Sequence, residues 1–194
     1  MKPITAEQFR AVLVALGEQG ADDVEWSESI APPATADDFA QEAIFVICNS
    51  GMKNTVARMI FDRCIGALAA GTPVIDVFKH KGKVAAIEAI WADRAGLLSM
   101  YLLRKTDADR LEMLAALPWI GGITKYHLAK NFGANVAKPD VHLQRLADRE
   151  GCTAQSLCER LAGEVGLRAA TVDVVLWRAC ANGVINSRTG EITA

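Results

Sequence analysis

Apolar residues recur three and four positions apart along nearly the whole chain, and period-two alternation persists nowhere. Thr5 is placed to cap a helix over "AEQFRAVLVALGEQG", which stops near Gly17 or Gly20. The pattern then fails across "DDVEWSESIAPPAT", which reads as a loop ended by the Pro32–Pro33 pair. Thr35 caps "ADDFAQEAIFVIC", with Asp37 and Asp38 well placed in the first turn. "NSGMKN" interrupts before "TVARMIFDRCIGALAAG", an amphipathic helix closed by Gly71. "TPVIDVFKHKGK" reads as a connection carrying a basic run. "VAAIEAIWADRAGLLSMYLLRK" predicts one or two helices broken near Gly96, and Asp107 caps "ADRLEMLAALP". After a tight link and a short helix ended by Gly133 come "VHLQRLADREG", "TAQSLCERLAGEVG" and "AATVDVVLWRACANG", each stopped by glycine. The prediction is an all-α fold of about nine to ten helices, without repeats or low-complexity tracts.

Composition narrows this only a little. The 194 residues are 51% hydrophobic, enough for one domain or two small lobes with a sizeable core. No run of eighteen uncharged apolar residues predicts a membrane span, and the N-terminus does not read as a signal peptide. The five cysteines are an odd number, lie mostly in apolar runs and contain no C-x2-C spacing. They are expected to be reduced, buried thiols of a cytoplasmic protein, with no metal and no cofactor. The net charge of −2 argues against a polyanionic partner, but its distribution is uneven. Residues 1–43 hold nine acids and two bases (net −7), and residues 44–194 hold fourteen acids and nineteen bases (net +5). A basic face is compatible with a polyanion, and ordinary charge scatter is the plain alternative.

Two short blocks in the basic part carry chemistry. In "LPWIGGITKYHLAKNFG" (117–133), Pro118 ends one helix, and Gly121 and Gly122 permit positive φ without side chains in the way. The next helix starts near Thr124. Its first amides lack internal partners and, with the turn amides, can donate to phosphate oxygens, with Lys125 and Lys130 flanking. A plain packing joint between two helices is the alternative. In "KPDVHLQR" (138–145), Asp140 follows Pro139 and precedes a new apolar period, which also makes it a good helix N-cap.

Together the blocks resemble the helix–hairpin–helix base-excision DNA glycosylase superfamily, the endonuclease III group. Leu117, Pro118, Ile120, Gly121 and Thr124 match the hairpin motif, and Asp140, His142, Leu143 and Arg145 match the second block. The resemblance covers residues 36–182 and implies a two-lobed helical fold with a cleft between the lobes. One lobe would span about 36–133, including the hairpin 117–124, and the other about 1–35 plus 134–194. Two departures stand out. Trp119 occupies a position that is usually glycine in the family, and Ile123 stands where bifunctional members carry their catalytic lysine. Lys125 lies about 200° further round the helix and points elsewhere. Lys53 and Lys138 are other amines to weigh, with solvated surface lysines as the plain reading. The cysteine cluster of many relatives is missing, so no iron–sulfur cluster is expected.

The resemblance implies double-stranded DNA with a flipped modified base as the partner. The ionised Asp140 would stabilise positive charge on the sugar or orient water as the glycosidic bond breaks. Trp119, Gly121, Gly122, Thr124, Lys125 and His142 become candidate DNA contacts. Asn49 and Lys53 of the "NSGMKN" turn join them, because the family uses that segment to fill the gap left by the base. Ser50, Met52 and Trp26 are weaker candidates for the base pocket, with Trp26 as a core anchor the alternative. "KHKGK" (79–83) reads either as a phosphate contact or as a solvated loop. The leading expectation is a monofunctional DNA glycosylase. One alternative is a glycosylase-like transferase, similar to those of phage DNA hypermodification, that adds an amine or amino acid to an activated pyrimidine. A non-catalytic DNA-binding module is another, although grip alone needs no carboxylate facing a phosphate.

Overall fold

The computed structural model describes residues 3–193. The described residues form eleven α-helices: α1 (Ala6–Leu16), α2 (Glu18–Ser29), α3 (Ala36–Asn49), α4 (Asn54–Ala69), α5 (Lys81–Ala92), α6 (Arg94–Leu102), α7 (Asp107–Ala115), α8 (Thr124–Asn131), α9 (Val141–Glu150), α10 (Ala154–Val165) and α11 (Ala169–Ala181). A 3-10 turn covers Val74–Asp76, and one isolated antiparallel bridge joins Ile185 to Ile192. The all-α reading therefore holds. No helix among the described residues is long and apolar enough to cross a membrane.

The chain divides into two compact units, one running from Pro32 to Phe132 and the other combining the chain up to Ala31 with the chain from Gly133. The Pro32–Phe132 unit is built around α3. Ala43 through Cys48 are consecutive buried residues. A helix that is apolar all round must be covered on every side, and α4, α5, α6 and α8 all pack on it. Its floor is an aromatic cluster: Phe39 stacks on Phe132 at 4.9 Å, and Tyr101 meets Phe132 at 5.1 Å. In the other unit α11 takes the central place, with α1, α2, α9 and α10 around it. Phe9, Val12, Leu143, Leu157, Leu161, Val172 and Leu176 fill that core.

Three local readings are corrected. Residues 22–29, read from the sequence as loop, belong to helix α2. Its sequence lacks an apolar stripe, and only Gly20 and Ser27 are buried on it. It is held instead by polar clamps to α11 and the residue before it. Asp23 accepts two bonds from Arg178 at 2.8 and 3.0 Å, the Thr171 hydroxyl donates to Glu28 and is hydrogen-bonded to Ser27 Oγ, and Arg168 donates to the Ser27 carbonyl at 2.7 Å. The break between α5 and α6 falls at Asp93 rather than Gly96, which lies inside α6. Thr106, not Asp107, caps α7, its hydroxyl accepting from the Asp109 amide at 3.1 Å.

Candidate nucleic-acid interface

The link from α7 to α8 is a tight hairpin. Leu117 and Ile120 are buried and anchor it, while Pro118, Trp119, Gly121, Gly122 and Ile123 are exposed. The left-handed residue of this turn is Trp119, with φ 67°; Gly121 and Gly122 keep negative φ, contrary to the sequence reading. A bulky residue in that region costs roughly 1–2 kcal/mol. The ring has a seat that offsets part of this cost. A Cβ on Gly82 would lie 2.6 Å from the indole Cζ3, and the His80 ring meets the indole edge-on at 5.1 Å.

The start of α8 is open. The Gly121 carbonyl accepts from the Lys125 amide at 3.0 Å, and the Gly121 amide donates to Thr124 Oγ1 at 2.7 Å. That is the returning half of a capping box; glycine has no side chain to supply the other half. Ile123 gives no side-chain cap either. Among the described residues, the amides of Gly122, Ile123 and Thr124 find no acceptor. They form a cluster of unsatisfied donors at an exposed turn, the geometry that accepts an anion. Lys125 lies beside it, its ammonium 5.3 Å from the Tyr126 ring. Lys130 does not flank the turn in solvent, because it is only 9% exposed: α8 buries Leu128, Ala129 and Lys130 together.

The same unit holds the α3–α4 turn. Asn49 ends α3, Ser50 caps it with its amide on the Val46 carbonyl at 3.0 Å, and Gly51 turns the chain at φ 73°. Met52 is half-buried, and the exposed Lys53 precedes α4. Lys83, which sequence reasoning passed over, fixes this turn. It is 3% exposed, and its Nζ donates to the Cys48 carbonyl at 3.2 Å and the Ser50 carbonyl at 2.6 Å. A buried helix C-terminus leaves carbonyls that need donors, and an ammonium also matches the negative end of the helix dipole. Burial holds the Lys83 pKa below its ordinary value, an effect that the nearby Cys48 opposes. The signal was present: the all-apolar run "AIFVIC" has to end in a buried carboxyl-terminal turn. Of "KHKGK", Lys83 is buried and the other four residues are exposed, with Lys81–Lys83 already helical. The stretch leads into α5, with His80 Nδ1 accepting from the Lys83 amide.

Asp140, His142 and Trp26 lie in the other unit. The link before α9 is saturated with hydrogen bonds. Ala137 N donates to Gln155 Oε1 at 2.7 Å, Lys138 N to the buried Asp173 at 2.5 Å, and Asp140 N to the Lys138 carbonyl at 2.8 Å. Asp140 caps α9, its Oδ1 accepting from the amides of His142 and Leu143 at 2.9 and 3.1 Å. Oδ2 has no partner among the described residues. Cys180 of α11 feels the carboxylate: burial first, then the charge of Asp140, pushes its thiol up to about 12. His142 Nδ1 lies 3.0 Å from Ser187 Oγ, so that ring is tied to the C-terminal segment. Trp26 is on helix α2 and 46% exposed, neither a loop residue nor a core anchor.

The helical fold that carries the hairpin between α7 and α8 and the capping aspartate at the start of α9 is similar to that of a solved DNA glycosylase. Among solved structures, the 8-oxoguanine DNA glycosylase of Thermotoga maritima matches with a TM-score of 0.64. The match covers 89% of this chain and 93% of that one, at 14% sequence identity. The sequence matches no protein-family model and no curated protein.

Proposed function

We propose that this protein binds double-stranded DNA through the hairpin and acts on a flipped, modified or damaged base, most simply as a monofunctional DNA glycosylase. The observation that carries the reading is the pair of helix starts. At α8 three amides have no acceptor; at α9 a carboxylate is held by one oxygen and the other has no partner among the described residues. Two backbone N–H bonds fix Oδ1 in place, and a carboxylate oriented in this way can face a developing sugar cation. In this reading the hairpin grips phosphate without regard to sequence, and Lys125, Asn49, Lys53 and His142 add contacts. Trp26, Ser50 and Met52 remain the weaker proposals for the base pocket.

Strand nicking through a lysine Schiff base is not expected. Ile123, 45% exposed on the hairpin, has no nucleophile. Lys53 is exposed to solvent, and the ammonium of Lys83 is committed to two carbonyls. The isoleucine also favours a second reading, in which the same fold modifies the flipped base rather than releasing it. The test is mass spectrometry of nucleosides and free bases after incubation with duplexes carrying different modified bases. A released base supports the glycosylase, and a heavier nucleoside supports the transferase. Binding without any change would reduce the protein to a DNA-binding module, and no binding would overturn the proposal.

A further inference from the structure

The stretch Lys79–Lys83 divides its residues between two tasks. His80, Gly82 and Lys83 hold other parts of the unit. His80 sets its ring against Trp119, Gly82 leaves the space that the indole fills, and Lys83 ties down the α3–α4 turn. Lys79 and Lys81 are exposed and make no ion pair among the described residues. Four arginines elsewhere are ion-paired: Arg94 with Asp37, Arg110 with Asp107, Arg160 with Glu150 and Glu164, and Arg178 with Asp23. Between Gly71 and Ile87 the one acid is Asp76, against Lys79, Lys81 and Lys83.

Two ammonium groups without ion pairs are therefore carried on a turn that packs against the hairpin through the Trp119 ring. A positive field beside unsatisfied amides suits a polyanion. We propose that this turn is a further element of the DNA-binding face, with Lys79 and Lys81 contacting phosphates next to those taken by the hairpin amides. Trp119 is the bridge that sets their spacing, which gives a physical reason for a strained tryptophan at that position. The inference rests on the proposal that the hairpin grips DNA.

The experiment is a salt titration. The affinity of the full chain for an unmodified duplex is measured by fluorescence anisotropy between about 50 and 200 mM salt, where each phosphate contact contributes about 0.9 to the log–log slope. The double variant Lys79→Gln, Lys81→Gln is expected to bind at least about tenfold more weakly at the lower salt, with the slope shallower by about two. Lys105→Gln, an exposed lysine between α6 and α7, removes a charge elsewhere and is expected to leave the slope unchanged. If the wild type binds with a steep slope and the double variant matches it, the inference is wrong and the hairpin reading stands. An equal loss in Lys105→Gln would also overturn it, because net charge alone would then explain the effect. If the wild type shows no salt-dependent binding, the hairpin reading fails and this inference fails with it.

Discussion

Helices α8 and α9 follow one another in the chain, yet they begin in opposite ways. The start of α9 is closed: a side-chain carboxylate takes two of its amides, and the preceding link is bonded to α10 and α11. The start of α8 is open: a glycine stands where a cap would serve, and among the described residues three amides find no acceptor. Capping contributes about 1 kcal/mol, so an uncapped exposed helix start forgoes stability that one substitution could supply. A closed start orients a charge, and an open start leaves room for a partner's charge.

The largest effect expected from breaking this contrast is at Asp140. Asparagine caps as well as aspartate does, so Asp140→Asn should preserve the thermal unfolding midpoint while removing the charge. Turnover, measured as released base or altered nucleoside, is expected to fall about 10²–10³-fold. A variant that stays fully active would return the residue to capping alone.

The contrast can next be erased from the other side. Gly121 keeps negative φ, and a Cβ there would touch only Thr124 Oγ1, at an ordinary 3.8 Å. Gly121→Asp therefore turns the α8 start into a likeness of the α9 start. It should raise stability by a few tenths of a kcal/mol and weaken DNA binding at least about tenfold, because the carboxylate occupies the amides and repels phosphate. Unchanged affinity in the anisotropy titration would show that these amides do not meet DNA.

Smaller effects sharpen the comparison. Asp140→Ala removes the cap altogether and should cost about 1 kcal/mol in a denaturant titration. Thr124→Val, which strips the hydrogen bonds of Oγ1 to the exposed Gly121 amide and carbonyl, should cost about half as much. A double-mutant cycle on the hairpin seat has an effect of similar size. Gly82→Ala should destabilise the protein by up to about 1 kcal/mol when Trp119 is present, because the new methyl meets the indole. In a Trp119→Gly background the sign should reverse, alanine being the better helix residue. An additive cycle would mean that the ring is not seated on Gly82.

The sequence by itself determined the all-α class, most helix limits and the two blocks that matter. Apolar spacing and glycine stops are local signals, and capping at Thr5, Thr35 and Asp140 is chemistry within four residues. Where partners lie far apart in the chain, only the tertiary structure decided. Helix α2 has no apolar stripe to announce it; it exists because Arg168, Thr171 and Arg178, about 140 residues on, bind its carboxylates, hydroxyl and carbonyl. Lys83 reads as one more lysine of a basic run until α3 is seen to end, buried, against it. Two glycines suggested the site of the left-handed turn, but φ is set by what the turn must hold. The indole of Trp119 seated on Gly82 moved the strain to the one residue that local preference would have excluded.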